Sequence, residues 1–255
     1  MTTQSDQAHA FHALHKKGEP VVLFNVWDPG SAKAVAKAGA RAIATGSAPV
    51  AMAHGFVDGE QIPLDLALDN IRRIVAAVDL PVTADLEGGY GVAPEIVAET
   101  VSRALAAGAI GFNFEDQVVG GTGLHEIDVQ AARVAAARAA AEDAGVPAYI
   151  NARTDIFLKT KPETHDQAML DQAIERAQAF AQSGASGFFA PALADEGLIG
   201  KLCEACPLPV NIIALPNVPP AETLASLGVA RISYGPVPYR RMIQWLEEAA
   251  REALN

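Results

Sequence analysis

The sequence predicts one α/β domain, spanning residues 1–255, that folds as a single (β/α)8 TIM barrel. The chain has 255 residues, which is close to the usual length of such a barrel. An Ala-rich helical stretch that ends at a glycine and leads directly into an apolar segment recurs along the chain. Eight apolar segments of strand length can be counted, each followed by a helical pattern, and this number favours a closed barrel over an open sheet.

Five glycines mark the junctions between predicted helices and the strands behind them. They are Gly39, Gly108, Gly145, Gly184 and Gly228. Each stands where a helix needs a left-handed residue just after its C-terminus. The strands that follow are too uniformly apolar to alternate, which is typical of parallel strands buried on both faces. The predicted strands span residues 21–28, 41–47, 81–87, 110–116, 148–155, 187–193, 209–215 and 231–235.

Residues 1–20 precede the first strand and predict a helical extension that closes the bottom of the barrel. His9, His12 and His15 recur there at helical spacing. Because these histidines lie before the first strand and away from its catalytic end, we interpret them as surface or packing residues rather than metal ligands.

Composition and charge exclude several classes of function. Half of the residues are hydrophobic and 19% are charged, yet no apolar stretch reaches the roughly eighteen residues of a membrane span. The N-terminus lacks an apolar core with a cleavage site, so we expect a soluble, cytoplasmic protein. A formal charge of −11 argues against nucleic-acid and membrane partners. The cysteines, Cys203 and Cys206, form an isolated pair that we interpret as reduced structural thiols.

Polar residues collect at the C-terminal ends of the predicted strands, where TIM barrels carry their active sites. The first five strands end in Trp27, in Thr45, Gly46 and Ser47, in Asp85 and Glu87, in Glu115, and in Arg153. Asn211, within the seventh predicted strand, is a further candidate substrate ligand. The sequence therefore predicts the active site at this end of the barrel.

The acidic residues among them predict a metal site. Asp85 and Glu87 are two residues apart on one predicted strand, so we expect both side chains on the same face. Glu115 on the neighbouring strand would add a third carboxylate, and three such groups repel one another unless a cation or protons compensate. Mg²⁺, with Mn²⁺ as an alternative, suits carboxylate oxygens. A salt-bridge network that pairs the acids with Arg153 without metal is the competing interpretation.

The loops behind these strands offer ligands for a small anionic substrate. Hydroxyl and backbone N–H groups of Thr45, Gly46 and Ser47 suit a carboxylate or a phosphonate, although an ordinary turn explains them equally well. The glycine-rich turn around Tyr90 allows the backbone to approach a ligand closely. The loops after strands seven and eight, PNVPPAE and GPVPYRR, lack a glycine-rich phosphate cup, which disfavours a sugar-phosphate substrate.

Over nearly its whole length the chain resembles the isocitrate lyase and phosphoenolpyruvate mutase superfamily. The resemblance is carried by the order and spacing of the motifs DLEGGYG at 85–91, EDQ at 115–117 and NARTD at 151–155. It implies that Mg²⁺ is held at the positions of Asp85, Glu87 and Glu115. It also implies a further acidic group near the metal at Asp58, and substrate anion binding by the Thr45–Ser47 loop and by Arg153.

The chain departs from the superfamily pattern at the lid after strand four. Residues 117–125, QVVGGTGLH, contain neither the catalytic cysteine of the isocitrate-type lyases nor the lysine and Asn-Ser pattern of the phosphonate enzymes. Glu87 stands where many members carry aspartate. The resemblance is thus to a cysteine-less subgroup, in which His125, Tyr90, Asp58 and Glu115 are the candidates for proton transfer.

These observations predict a Mg²⁺-dependent lyase that cleaves a C–C bond in, or decarboxylates, a small 2-oxo or 2-hydroxy carboxylic acid through an enolate. Arg153 is expected to orient the substrate, and Trp27 to wall the pocket. Cleavage of a P–C bond in a phosphonopyruvate-like substrate is one alternative, and a non-catalytic metabolite-binding barrel is another.

The resemblance also implies a homodimer or homotetramer whose subunits exchange the last helix. Met242, Trp245 and Leu246 stand at helical spacing within residues 238–254 and can form such a contact face. An ordinary eighth helix that packs on its own barrel is the alternative.

Overall fold

The computed structural model of the protein describes residues 2–254, and these form an eight-stranded parallel barrel. The strands are β1 (Val21–Leu23), β2 (Ile43–Ala44), β3 (Val82–Asp85), β4 (Gly111–Glu115), β5 (Tyr149–Arg153), β6 (Gly187–Phe189), β7 (Val210–Ile213) and β8 (Arg231–Ser233). Their order is β1-β8-β7-β6-β5-β4-β3-β2, and a parallel bridge between Val26 and Thr45 joins the two ends. The predicted fold class is confirmed.

Helices follow every strand and cover the outside of the barrel. They are α1 (Gln4–Leu14), α2 (Pro29–Lys37), α3 (Ser47–Ala53), α4 (Leu64–Ala77), α5 (Pro94–Ala106), α6 (Ile127–Asp143), α7 (Gln167–Gln182), α8 (Glu196–Ala205), α9 (Ala221–Ser226) and α10 (Val237–Leu254), with a 3₁₀ turn at Pro162–Thr164. The second strand is followed by two helices, α3 and α4.

The glycines predicted to end helices do so. All five have φ between +67° and +99°, and each stands two residues after the last helical residue of α2, α5, α6, α7 or α9. Residues with a Cβ adopt this left-handed conformation only at a cost, so these glycines set where each helix stops and the next strand begins.

Side chains alternate along the strands between the barrel interior and the helices. On β4, Phe112 and Phe114 are buried between sheet and helices, and the Phe114 ring lies under the guanidinium of Arg133 on α6, 4.9 Å from its centroid. Asn113 and Glu115 on the same strand are also buried, and their polar groups face the lumen, where Asn151 on β5 donates to Asn113 at 2.9 Å. The lumen is therefore polar, and the apolar core lies between sheet and helices.

The N-terminal helix α1 closes the bottom of the barrel, as the prediction for residues 1–20 states. Phe11 is fully buried, and the ring of His15 stacks on Tyr149 with centroids 3.9 Å apart. His12 bonds the Pro147 carbonyl at 3.0 Å, whereas His9 is exposed. The three histidines are thus packing or surface residues.

The two cysteines lie at the end of α8, and both are free thiols. Burial raises the pKa of the Cys203 thiol to about 12, which keeps it protonated. Within the described range, the helices include none that is long and apolar enough to cross a membrane.

Candidate active site

The C-terminal ends of the strands surround a cavity of about 340 Å³. Five residues predicted for the site line it, namely Gly46, Ser47, Asp58, Asp85 and Arg153. The other lining residues were not predicted, and among them are Asn25, Asn113, Phe189, Ser233 and Arg240. Carboxylates, amides and guanidinium groups from separate segments of the chain therefore meet in one cavity.

Asp85 stands at the end of β3, with its backbone held by one neighbour and its carboxylate by two. Its backbone N–H donates to the Thr45 hydroxyl at 3.0 Å, which fixes the strand end against β2. One carboxylate oxygen accepts the N–H of Glu87 at 3.2 Å, and the other accepts Nδ2 of Asn113 at 3.2 Å. Each oxygen keeps free lone pairs towards the cavity.

Glu87 lies beyond the end of its strand, so strand alternation does not explain its position, although its side chain lines the same narrow cleft as Asp85. β3 ends at Asp85, and Glu87 has φ +51°, in the left-handed region. Alternation holds only while the backbone stays extended. The Glu87 carboxylate instead accepts the N–H groups of Gly59 and Glu60, both at 2.8 Å.

The turn after Glu87 and the loop around residue 60 hold each other in place. Oε1 of Glu60 accepts the Tyr90 N–H at 2.8 Å, and Glu87 in turn accepts backbone N–H groups of residues 59–60. Each segment thus supplies one carboxylate that binds the backbone of the other. Arg133 on α6 donates to the carbonyls of Gly88 and Gly91. A Cβ at Gly88 would lie 2.8 Å from Val119 and 3.0 Å from the Glu60 carboxylate, so only glycine fits.

Arg153 joins the ends of β4 and β5 through two carboxylates. Its Nη1 lies 2.8 Å from Glu115, and its Nε and Nη2 lie 2.5 and 2.9 Å from the oxygens of Asp155. Burial alone would lower the pKa of Arg153, but Glu115 and Asp155 outweigh it and raise that pKa above its ordinary value. The guanidinium is therefore charged, rigidly held and exposed at the cavity wall.

The salt-bridge network considered as an alternative to metal binding is thus present for Glu115. Its second oxygen accepts Nε2 of Gln117 at 3.0 Å. Burial raises the pKa of Glu115, and Arg153 opposes that shift. Both acids have each oxygen engaged by one protein group, but Glu115 is ion-paired with Arg153, whereas Asp85 accepts only neutral N–H donors and lines the cavity.

The remaining acids concentrate negative charge at one side of the cavity. Burial and the charge of Asp85 raise the pKa of Asp58. Burial, Asp58 and Asp85 together raise the pKa of Glu87 to about 8. Neighbouring carboxylates behave in this way when no cation compensates them.

A hard divalent cation fits this side of the cavity. Among residues 2–254, no three His, Cys, Asp or Glu side chains are arranged as a ready set of metal ligands. The donors are nevertheless oxygen atoms only, and a cation there would relieve the mutual repulsion of Asp58, Asp85 and Glu87. Asp58 and Asp85, which line the cavity, and Glu87, which lines the adjoining cleft, could hold such a cation directly or through water, as Mg²⁺ permits.

Several predicted site residues lie outside the 340 Å³ cavity. Thr45, Glu87 and Tyr90 line a narrow adjoining cleft. Trp27 packs edge-on against Tyr239 of α10, with ring centroids 5.1 Å apart. Asn211 lies deeper in the barrel and accepts the Ser233 hydroxyl at 3.2 Å. None of these five residues lines the 340 Å³ cavity itself.

His125 lies at the far end of the lid, away from the residues that line the cavity. Its backbone N–H donates to the Asp116 carbonyl at 2.8 Å, and its carbonyl accepts Nη1 of Arg176 at 2.9 Å. Burial, followed by the charges of Arg133 and Arg176, lowers the pKa of its imidazole. This shift favours the neutral form of the imidazole.

The lid itself faces the loop that carries Asp58. Residues 117–121 and 55–59 line a larger, open space of about 810 Å³ above the cavity. A bridge between Gln117 and Leu124 closes the lid into a short hairpin. Asp58 lines both spaces and thus stands between the solvent-facing opening and the cavity.

One residue that sequence reasoning missed could have been found by strand alternation. Asn113 is two residues before Glu115 on β4, so both side chains point into the lumen. Arg240 and Asn25, by contrast, come from α10 and from the loop after β1, and no local pattern marks them.

Comparison with protein families places residues 11–254 in the phosphoenolpyruvate phosphomutase family. The chain belongs to this family. Curated relatives of the chain include 2-methylisocitrate lyases and oxaloacetate decarboxylases. The superfamily inferred from the motifs at 85–91, 115–117 and 151–155 is thereby confirmed.

Individual family members share the fold over almost the whole chain. A provisionally named phosphonomutase of Burkholderia cenocepacia J2315 is 49% identical, with a TM-score of 0.96 over 98% of this chain and 100% of that one. The 2-methylisocitrate lyase of Escherichia coli K12 is 30% identical over 91% of this chain and 79% of its own. A phosphonopyruvate hydrolase, in complex with oxalate and Mg²⁺, is 22% identical with a TM-score of 0.83, covers 96% of this chain and 86% of its own, and shows the fold alone.

Proposed function

We propose that the protein is a Mg²⁺-dependent lyase that cleaves a C–C bond in, or decarboxylates, a small 2-oxo or 2-hydroxy carboxylic acid through an enolate. The observation that carries this proposal is the cavity in which Asp58 and Asp85 meet the guanidinium of Arg153. Such a cavity offers acids for a divalent cation and a fixed cation for a substrate carboxylate. The related 2-methylisocitrate lyase of E. coli supports carbon–carbon cleavage.

Arg153 binds and orients the substrate. Glu115 and Asp155 hold the guanidinium from behind, so little side-chain freedom is lost when a carboxylate binds to it. Gly46 and Ser47 line the cavity and offer N–H and hydroxyl donors to a second anionic group. Mn²⁺ or Mg²⁺, when bound, supplies a Lewis acid for the negative charge that develops on the substrate.

Asp58 is the residue placed best to move a proton. It lines the cavity, and its raised pKa brings the carboxyl closer to the pH at which a group can both give and take a proton. The nearby Ser47 hydroxyl opposes this rise in the Asp58 pKa. The remaining candidates are Glu115, which is bound to Arg153 and Gln117, Tyr90, which lines the adjoining cleft, and His125, which lies at the distant end of the lid.

The proposal is tested by incubating the purified protein and Mg²⁺ with oxaloacetate, isocitrate, methylisocitrate and related acids. Formation of pyruvate, glyoxylate or succinate supports it, provided that Asp85→Ala abolishes the activity. Absence of these products from every acid contradicts it. Tight Mg²⁺-dependent binding of oxalate without any turnover would instead identify a metabolite-binding barrel.

Phosphonate chemistry is the second candidate function. It is favoured by the 49% identity to the provisionally named phosphonomutase of B. cenocepacia. The same donors that suit a carboxylate, Arg153 and the Gly46–Ser47 loop, also suit a phosphonate. Release of phosphate from phosphonopyruvate, or its conversion to phosphoenolpyruvate, would replace the lyase assignment.

A homodimer or homotetramer belongs to the same proposal. α10 carries Trp245 and Leu246, which are 65% and 50% exposed. Val22 of β1 and Phe24, just after this strand, are 45% and 41% exposed and line an apolar groove with residues of α2. Packing of α10 from one subunit against the barrel of another would cover both surfaces.

A further inference from the structure

Arg231 is a cation buried in the middle of the barrel. It belongs to β8, is 1% exposed, and donates through Nη2 to Oδ1 of Asn113 on β4 at 3.1 Å. β8 and β4 are four strands apart in the ring of eight, so they lie on opposite sides of the lumen. The side chain therefore crosses the full width of the barrel just below the cavity.

Asn113 connects this guanidinium to Asp85. Its Oδ1 accepts from Arg231 and also from Nδ2 of Asn151, at 2.9 Å. Its Nδ2 donates to Oδ2 of Asp85 at 3.2 Å. The reversed amide would put its NH₂ group against two donors and its oxygen against a carboxylate, so the two donors enforce the orientation that serves Asp85.

The Arg231 guanidinium does not line the cavity, so it does not contact a ligand there directly. Its Nε donates to the Ser233 hydroxyl at 3.3 Å, and neither Arg231 nor Tyr149 below it is among the residues that line the cavity. Burial lowers the pKa of Arg231 to about 10, with Tyr149 and Asp85 opposing the decrease, so the group stays charged at neutral pH. Nη1 of Arg231 and the Tyr149 hydroxyl have no hydrogen-bond partner among the described residues.

We propose that Arg231 is a positioning residue, which acts through Asn113 to hold the Asp85 carboxylate in the orientation needed for cation binding. The proposal rests on the proposed function only in taking Asp85 as a cation ligand. It predicts that removal of Arg231 weakens cation binding, which is the opposite of the effect expected from its charge alone. A buried positive charge repels a metal ion, so its removal by charge alone would tighten binding, whereas loss of the fixed Asn113 amide weakens binding.

The test measures binding of Mn²⁺ alone to the full chain by electron paramagnetic resonance. Arg231→Met and Asn113→Ala are each expected to weaken binding about tenfold or more, the usual effect of losing a group that orients a metal ligand. Because Arg231 acts through Asn113, the double variant should bind within about twofold of Asn113→Ala. Tyr149→Phe removes an unpartnered hydroxyl next to Arg231 and is the matched control, with affinity unchanged.

Tighter Mn²⁺ binding by Arg231→Met, or losses that multiply in the double variant, would overturn the proposal. Arg231→Lys keeps the charge but lacks the planar fork whose Nε and Nη2 donate in fixed directions to Ser233 and Asn113. It is expected to weaken binding too, and it replaces Arg231→Met in the cycle if that variant does not fold. Wild-type affinity in Arg231→Lys would also overturn the proposal.

The measurement needs no substrate, so the two proposals fail separately. A non-additive Mn²⁺ cycle in a protein that turns over no acid would contradict the lyase function and support the role of Arg231. Additive effects of the two substitutions on Mn²⁺ binding, in a protein that is an active lyase, would contradict the role of Arg231 and support the lyase function.

Discussion

Nη1 of Arg153 lies 2.8 Å from the carboxylate of Glu115, and this contact ties β5 to β4 at the point where both strands open into the cavity. Asp155 binds the other edge of the same guanidinium through two hydrogen bonds. The planar group is thus held on two sides, and its remaining donors face the cavity. A lysine could not keep this geometry, because its ammonium has no fork of fixed donors.

Arg153→Lys is therefore expected to lower kcat/KM about 100-fold or more, the loss expected when a fixed bidentate contact to substrate disappears. Steady-state kinetics on the acid identified by the substrate screen would measure it. Arg138→Lys is the matched control, since Arg138 is part-buried and bonds the Gly184 and Ala148 carbonyls away from the cavity. Equal activity losses in the two variants would refute a substrate contact by Arg153.

Removal of divalent cations with EDTA is expected to abolish turnover, and added Mg²⁺ to restore it. Asp85→Asn should reduce kcat/KM at least about 100-fold at any Mg²⁺ concentration, because a neutral amide cannot replace the carboxylate that faces the cavity. Asp166→Asn, at the N-cap of α7, serves as control and should remain active. Full activity in EDTA would show that the acids of the cavity work without metal.

The stability of the protein should fall on acidification through the protonation of His15. Burial, and then the charge of Arg231, lower its pKa to about 3. Between that value and the ordinary pKa of about 6.5, the unfolded chain binds a proton that the folded chain does not, so stability is present above pH 6.5 and lost as pH falls. The loss approaches about 1.4 kcal/mol per pH unit for one proton.

Urea unfolding between pH 7 and pH 4 would test this prediction for His15. His15→Phe keeps a ring against Tyr149 and should show a shallower pH dependence than the wild type. His9→Gln changes an exposed histidine of the same helix and should match the wild type. Identical slopes for all three proteins would rule out His15 as the source of the acid sensitivity.

Disruption of α10 is expected to change the oligomeric state. Trp245→Glu places a charge on the exposed apolar face of this helix and should shift a dimer or tetramer towards monomers in light-scattering chromatography. Gln244→Glu adds the same charge at an exposed neighbouring position and should leave the assembly intact. A wild-type protein that is already monomeric would contradict the proposed exchange of α10.

Alternation along the strands located some site residues correctly and failed for others, and the reason is the length over which the backbone stays extended. Asp85, Glu115 and Arg153 end strands that are regular up to those residues, so their inward direction follows from periodicity. Glu87 comes two residues later, after the chain has turned left-handed, and its carboxylate points to the loop at 59–60. A pattern of period two cannot anticipate that turn.

The order of helices and strands, the barrel and the family are properties of the sequence itself, because glycines after helices, apolar runs and motif spacing are local and periodic signals. Which charged groups pair with one another cannot be read from such local signals. Arg153 bonds Glu115 and Asp155, and Arg231 crosses the lumen to Asn113, 118 positions away in the chain. These contacts depend on how eight strands close into a ring and on which buried groups then lie within hydrogen-bond distance. Only the folded chain brings those groups together.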